Sequence, residues 1–275
     1  MLKPIGYIDS CYASKFGTPR QGAVVPDAAA SLCLSELENI DAKQALEGLE
    51  QYSHVWLLWA AHLNGHEATQ SKVRAPKLRG GKAGLFSTRS PFRPNPIGLS
   101  LVRLEGVHGD RLALSGVDLV DGTPIIDVKP YLPQYDMPRP GSGEVRTATW
   151  VDPEPIETIT FAPEAEEALE ALRSGAINRG AAASSSLTAD AAQFRRALVQ
   201  TLAADPRPLY RWRREQQGGG KAATGSSGEY DITFDGLICR CRFGRKGDSG
   251  KESVLVLSLT SDHAEDSSTN GSKKT

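Results

Sequence analysis

The chain has 275 residues, 24% charged and 39% hydrophobic, with a formal net charge of −1, the balance of an ordinary soluble globular protein of one large and one small domain. Its longest apolar run, Val55 to Ala61, is far shorter than the ~20 residues that span a bilayer. Met1-Leu-Lys-Pro lacks the apolar stretch of a secretory signal, so the expected setting is cytoplasmic or nuclear.

In chain order, Ile5-Gly-Tyr-Ile opens a strand, and Asp41 is placed to cap a short helix through Leu49. Ser53 to Leu63 follows as a strand. Alternation sets His54, Trp56, Leu58, Ala60 and His62 on one face and Val55, Leu57, Trp59 and Ala61 on the other. Bulky groups on both faces make it a central strand. Further strands are expected at Gly84–Ser87, Leu99–Leu104, Leu112–Val117 and Ile125–Val128, joined by turn sequences such as Asp121-Gly-Thr-Pro. Short strands at this spacing favour a sheet curled into a barrel, and no G-x-G-x-x-G follows any of them. Beyond Pro133 the composition turns to Pro, Gly and Thr. The rest predicts a strand at Ile156–Phe161 and helices at Glu164–Arg173 and Ala189–Ala204, the second capped by Thr188. Three strands close it: Tyr230–Phe234, Leu237–Phe243 and Val254–Leu259. The fold class is therefore α+β: a mainly-β, barrel-like, non-Rossmann domain over residues 1–135, a connecting region over 136–187, a small C-terminal α/β domain over 188–260, and a disordered tail over 261–275.

Charge is unevenly spread. No acid occurs between Ala68 and Leu104, a stretch holding eight Lys or Arg residues, and two further basic clusters lie at Arg207–Arg214 and Arg240–Lys246. Such segregation suits a polyanion, and on charge alone it suits solvated loops equally. Cys239 and Cys241 are neighbours on one strand face, poor geometry for a disulfide, and no second pair completes a zinc site. All four cysteines are read as structural thiols. His54 and His62 lack a third ligand and are not read as a metal pair.

Four segments carry more than pattern: Phe86-Ser-Thr-Arg-Ser-Pro-Phe-Arg-Pro-Asn-Pro-Ile-Gly-Leu-Ser; Val117-Asp-Leu-Val-Asp-Gly-Thr-Pro-Ile-Ile-Asp-Val-Lys-Pro-Tyr-Leu-Pro; and, upstream, Phe16-Gly-Thr-Pro-Arg-Gln and Ser53-His-Val-Trp-Leu-Leu. Together they resemble the TrmO/TsaA-like family of tRNA methyltransferases. The similarity runs through Pro4–Tyr135 and resumes at Asp205-Pro-Arg-Pro-Leu-Tyr-Arg. The resemblance implies a β-barrel enzyme, dimeric, that binds S-adenosyl-L-methionine and methylates N6 of threonylcarbamoylated adenosine at position 37 of the tRNA anticodon loop. It also implies cofactor contacts at Arg20, Gln21, Gly22, His62, Leu63, Arg89, Leu99, Ser115, Gly116, Val117 and Asp118. One departure is the absence of a proline between Gln21 and Gly22.

The residue types suit that chemistry. Adenine N6 is a poor nucleophile, and a carbamoyl substituent makes its remaining N–H more acidic, so a carboxylate within hydrogen-bond reach can take or share the proton. Asp118 and Asp121 are the candidates, although Asp121-Gly-Thr-Pro is equally a turn signature. Asn95, between two prolines, is a candidate reader of an adenine edge or a loop strut. Arg89 and Arg93, in a loop stiffened by three prolines, suit a carboxylate or an RNA phosphate. Arg93, Arg207, Tyr210 and Arg211 are the expected tRNA contacts, and Asp127 with Lys129 an ion pair. Competing readings are a non-catalytic tRNA-binding barrel and a metal-dependent phosphohydrolase using Asp118, Asp121 and Asp127.

Overall fold

The computed structural model describes residues 2–65, 70–74, 78, 81–151, 155–177, 187–207, 229–245 and 252–261. The chain divides into two compact units, Met1–Asp9 with Gln21–Pro155 and Ser10–Arg20 with Ile156–Thr275. The division differs from the expected one: a short N-terminal segment belongs with the C-terminal unit, and the connecting region is shared between the two. Among the described residues no helix is long and apolar enough to cross a membrane.

The first unit is built on a closed six-stranded barrel. Its strands are β1 (Gly6–Ser10), β2 (Ala29–Cys33), β3 (His54–Ala60), β6 (Ile97–His108), β7 (Arg111–Ser115) and β8 (Pro124–Pro130), in the spatial order β1-β2-β7-β6-β3-β8. A two-stranded ribbon, β4 (Lys72–Arg74) with β5 (Lys82–Gly84), stands apart from it. The alternation expected of β3 holds. Val55 and Leu57 are fully buried, while Trp56 and Leu58 on the opposite face are half-buried. With Ile8, Leu32, Leu112 and Ile125, also fully buried, they fill the barrel, each side chain contributing about 1.5–3 kcal/mol by leaving water. Outward, the β3–β6 register sets Leu58 opposite Leu99 and Ala60 opposite Ile97, and Ile97 and Leu99 are 43% and 54% exposed.

Two local expectations change. Asp41 does cap a helix, accepting from the Lys43 amide at 2.9 Å, but α1 ends at Ala45 and a 3-10 turn at Leu49–Gln51 follows, because Gly48 takes φ +86°. Leu85–Ser87 is a 3-10 turn after β5 rather than a strand. A four-residue helix, α2 (Pro133–Asp136), is tied to the barrel by Asp136, which accepts from the Trp56 indole at 3.1 Å and the Leu132 amide at 2.8 Å.

The second unit has a four-stranded sheet of β10 (Glu229–Phe234), β11 (Leu237–Arg245), β12 (Glu252–Ser261) and β9 (Thr158–Phe161), in that order, with β9 parallel to β12. Helices α3 (Pro163–Arg173) and α4 (Ala191–Ala203) accompany it. Phe194, Leu198 and Leu202 of α4 are fully buried, as their spacing predicts. Its cap is Asp190, which accepts from the Gln193 amide at 2.7 Å. Thr188, expected in that role, instead donates its hydroxyl to Asp235 at 2.5 Å. The cysteines are all free thiols. Burial raises both Cys239 and Cys241, Cys241 to about 12, which suits inert structural thiols.

Candidate active site

A seam of backbone against backbone founds the site. The strand β7 ends at Ser115, and Gly116 then takes φ +69°, a conformation that favours glycine, to turn the chain towards Asp118. Gly22, opening a 3-10 turn at Gly22–Val24, packs so tightly that a Cβ there would collide with the Gly116 carbonyl oxygen. Any side chain at position 22 would force this seam open. The missing proline between Gln21 and Gly22 leaves the close approach intact.

Asp118 stands on this turn. It accepts a 2.5 Å hydrogen bond from the Ser100 hydroxyl on β6, and Ser100 in turn accepts from the Trp59 indole on β3 at 3.0 Å. Burial pushes the Asp118 carboxyl up to about 6. Hydrogen bonds from Ser100 and the backbone, including that of Gly22, and the charge of Arg89 pull the other way without overcoming it. A carboxylate with such a value can take a proton near neutral pH. Ser115 is engaged elsewhere: its hydroxyl donates to Glu105 at 2.5 Å, and Glu105 pairs with Arg103 at 3.3 Å.

The proline loop supplies the cationic side. Arg89 donates to the Gln21 side-chain carbonyl, joining the loop to the residue before Gly22. Gln21, Gly22, Arg89, Gly116 and Asp118, five of the positions at which the resemblance implies cofactor contacts, are thus brought together. Asn64, just after β3, donates to the Pro91 carbonyl at 2.7 Å, and its buried side-chain oxygen has no hydrogen-bond partner among the described residues. A buried acceptor left open beside the loop suits a ligand that donates there. The glycine seam and the Arg89 cation beside an aspartate likewise suit a molecule with amino, carboxylate and hydroxyl groups.

Other predicted residues fall differently. Arg93 donates to the Thr88 carbonyl at 2.8 Å and lies over the Phe86 ring at 5.3 Å, so it braces the loop internally where a phosphate contact was expected. Phe86 itself is 78% exposed. Asn95 is exposed and makes no side-chain hydrogen bond among the described residues. Leu99 faces away from the Asp118 corner, since strand alternation puts it opposite to Ser100, so its side chain cannot line this corner within one copy of the chain. His62 and Leu63 are exposed at the end of β3. Asp121 is exposed in a turn closed by the Thr123 amide bonding the Val120 carbonyl at 3.1 Å, the turn-holding position. Asp127 pairs with Lys129 at 2.8 Å as expected, and among the described residues no three acidic, His or Cys side chains converge to hold a metal.

In the second unit, Arg20 is held below its ordinary range by burial, with Asp205 opposing that shift. Arg207 is a correction. Its side chain is 4% exposed, with bonds of 2.7 and 2.9 Å to Asp205 and 3.1 Å to Glu252, and it stacks on Phe243 at 4.4 Å. A guanidinium so fully engaged is a structural knot, unavailable to an RNA phosphate. Tyr210 and Arg211 lie outside the described residues.

Sequence reasoning missed Ser100, Trp59 and Asn64. A signal existed for Trp59: an inward indole N–H in a barrel strand needs an acceptor.

Comparison with known proteins agrees with this architecture. The description "tRNA-methyltransferase O N-terminal domain" matches residues 7–137. A mouse tRNA (adenine(37)-N6)-methyltransferase is 50% identical over 141 residues, half of this chain but 32% of the mouse protein, so the chain spans about a third of that relative. The Escherichia coli tRNA (adenine(37)-N6)-methyltransferase is 37% identical over 216 residues, covering 76% of this chain and 83% of that one. The crystal structure of TrmO from Pseudomonas aeruginosa superposes with a TM-score of 0.64 at 30% identity, over 94% of this chain and 97% of the other. With a barrel of this kind and the Escherichia coli relative matched over 83% of its length at 37% identity, the chain belongs to the TrmO family.

Proposed function

We propose that this protein methylates N6 of adenosine 37 in the tRNA anticodon loop, with S-adenosyl-L-methionine as donor and threonylcarbamoylated adenosine as preferred substrate, and that it works as a cytoplasmic homodimer. The observation that carries the reading is Asp118, a carboxylate raised to about 6 on a glycine-built turn beside Arg89. The activity of the Escherichia coli relative, named a tRNA (adenine(37)-N6)-methyltransferase, supports the substrate. For the dimer, the support is the apolar outer face of β3 and β6, where Ile97 and Leu99 lie exposed.

Gln21, Gly22, Arg89, Asn64 and the Ser115–Asp118 turn would hold the donor, which supplies an electrophilic methyl group on a sulfonium. The protein's own tasks are to position the adenine and to manage one proton. Asp118 accepts the N6 proton, leaving its electron pair on nitrogen. The raised value makes this carboxylate a stronger base than an exposed aspartate, while above pH 6 it remains mostly ionised and ready. Arg89 sits close enough to stabilise the ionised form between turnovers. The exposed Phe86 offers a ring against which an unstacked loop base can lie.

The test is incubation of the protein with labelled S-adenosyl-L-methionine and tRNA from cells with and without threonylcarbamoylation, followed by nucleoside analysis. Label in N6-methylated threonylcarbamoyladenosine, and little with the unmodified tRNA, is the expected result. Label on any other nucleoside, or none at all, overturns the assignment.

A further inference from the structure

Behind Asp118 lies a chain of two hydrogen bonds whose direction chemistry dictates. The indole Nε1–H of Trp59 can only donate, so the Ser100 oxygen receives it at 3.0 Å. The serine has one hydrogen of its own, and it points to Asp118 Oδ1 at 2.5 Å. The indole takes one of the hydroxyl's two lone pairs, and for the other to accept from a protonated carboxyl the hydroxyl hydrogen would have to give up the bond it donates to Oδ1. Oδ1 is thereby kept as an acceptor.

We propose that Trp59 and Ser100 are positioning residues which hold Asp118 Oδ1 as a fixed acceptor and so make Oδ2 the atom that takes the substrate proton. This rests on the reading of Asp118 as the proton acceptor. In that step the proton leaves N6 for Oδ2, its electron pair stays on nitrogen, and the Ser100–Oδ1 bond persists throughout. The relay also favours the ionised carboxylate, since it donates to it, and so checks how far burial can raise Asp118.

Three features of the fold converge on the Trp59 ring. The β3–β6 register sets Trp59 opposite Gly98, where a Cβ would overlap the indole, so the ring lies flat across bare backbone. The β3–β8 register shifts between Leu58 and Trp59, an irregularity that re-aims the side chain. Ser100 is buried two residues beyond Gly98 on the same inward face of β6. The glycine of Pro96-Ile-Gly-Leu-Ser is thus explained as room for the indole rather than as a turn residue.

The experiment is a 13C NMR titration of aspartate carboxyls in the full chain without tRNA, for wild type, Ser100→Ala, Ser100→Thr, Trp59→Phe and Gly98→Ala. Ser100→Ala should move the Asp118 midpoint up by about one pH unit, the loss of one hydrogen bond to a charged group. Trp59→Phe and Gly98→Ala should move it up by less, because the freed hydroxyl can then accept from the protonated carboxyl. Ser100→Thr should restore it. The acidic limb of the pH–rate profile for methyl transfer should follow in the same order, with KM for tRNA unchanged. Midpoints indistinguishable from wild type in both Ser100→Ala and Trp59→Phe overturn the proposal, as does a fall in KM or kcat with no shift of the acidic limb. If the wild type transfers no methyl group at all, the functional reading fails, while the titration still decides whether the relay governs Asp118.

Discussion

Asp118 and Arg207 are both charged groups withdrawn from water, and they are treated in opposite ways. Arg207 is saturated: two carboxylates and an aromatic face meet it, and hardly any of its surface remains exposed. Asp118 is starved: its direct hydrogen bonds come from neutral donors, Ser100 and backbone, while Arg89 acts through space and bonds Gln21 instead. A saturated charge is bound to its fold, and removing it leaves partners stranded. A starved charge remains poised to change its protonation state. The difference separates a residue that holds structure from the one proposed to do chemistry, although both stand in motifs that resemble the same family.

Substitutions at the two sites should diverge. The largest effect expected is on turnover: Asp118→Asn should lower single-turnover methyl transfer about 10²–10⁴-fold, the usual worth of a proton acceptor. A rate within a few-fold of wild type would remove Asp118 from that role. Next, Arg207→Ala should destabilise the protein by about 3 kcal/mol, read from urea unfolding, because Asp205 and Glu252 lose their shared cation. A loss below about 1 kcal/mol would make the knot ornamental.

Smaller, and opposite in sign, is the effect of Asp118→Asn on stability. The folded-state value of about 6 lies above that of an unfolded aspartate, so between about pH 4 and 6 the folded protein binds the proton and the unfolded chain does not. Stability therefore rises as pH falls through that window, and the charged form is a burden above it. Asp118→Asn should relieve that burden by about 1–2 kcal/mol at pH 8, after discounting for the part of the carboxyl that water still reaches, and by little at pH 4. Thermal unfolding at the two pH values checks this, and a destabilised variant at pH 8 would contradict it. Smallest is Lys129→Ala. The Asp127–Lys129 pair is 42% and 62% exposed, so its loss should cost less than about 1 kcal/mol and leave turnover unchanged.

Much of this was legible in the sequence, for identifiable reasons. The barrel followed from strand spacing and from the two-faced run His54–Ala60, whereas the Asp118 corner was pointed to by family resemblance rather than by pattern. The strand β2 escaped notice because Ala-Ala-Ser-Leu-Cys is made mostly of small residues with weak strand preference. Arg207 was misassigned because one of its partners, Glu252, lies 45 residues downstream, a distance at which charge patterning says nothing. The Trp59–Ser100 bond spans 41 residues and depends on a cross-strand register that only pairing reveals. Local chemistry is written locally, and the long-range partners that decide whether a charge is starved or saturated are not.

The barrel closes on itself, β1 pairing with β8, so each of its strands is flanked on both sides. Within the barrel no strand is left as an edge. The pleat of β6 divides the labour residue by residue: Leu99 outward to solvent, Ser100 inward to Asp118. Neighbours in sequence thus become independent in selection, and the outer face can drift without disturbing the hydrogen bonds behind Asp118. A slip of one residue would exchange their duties, which makes the β3–β6 register the single alignment on which both depend.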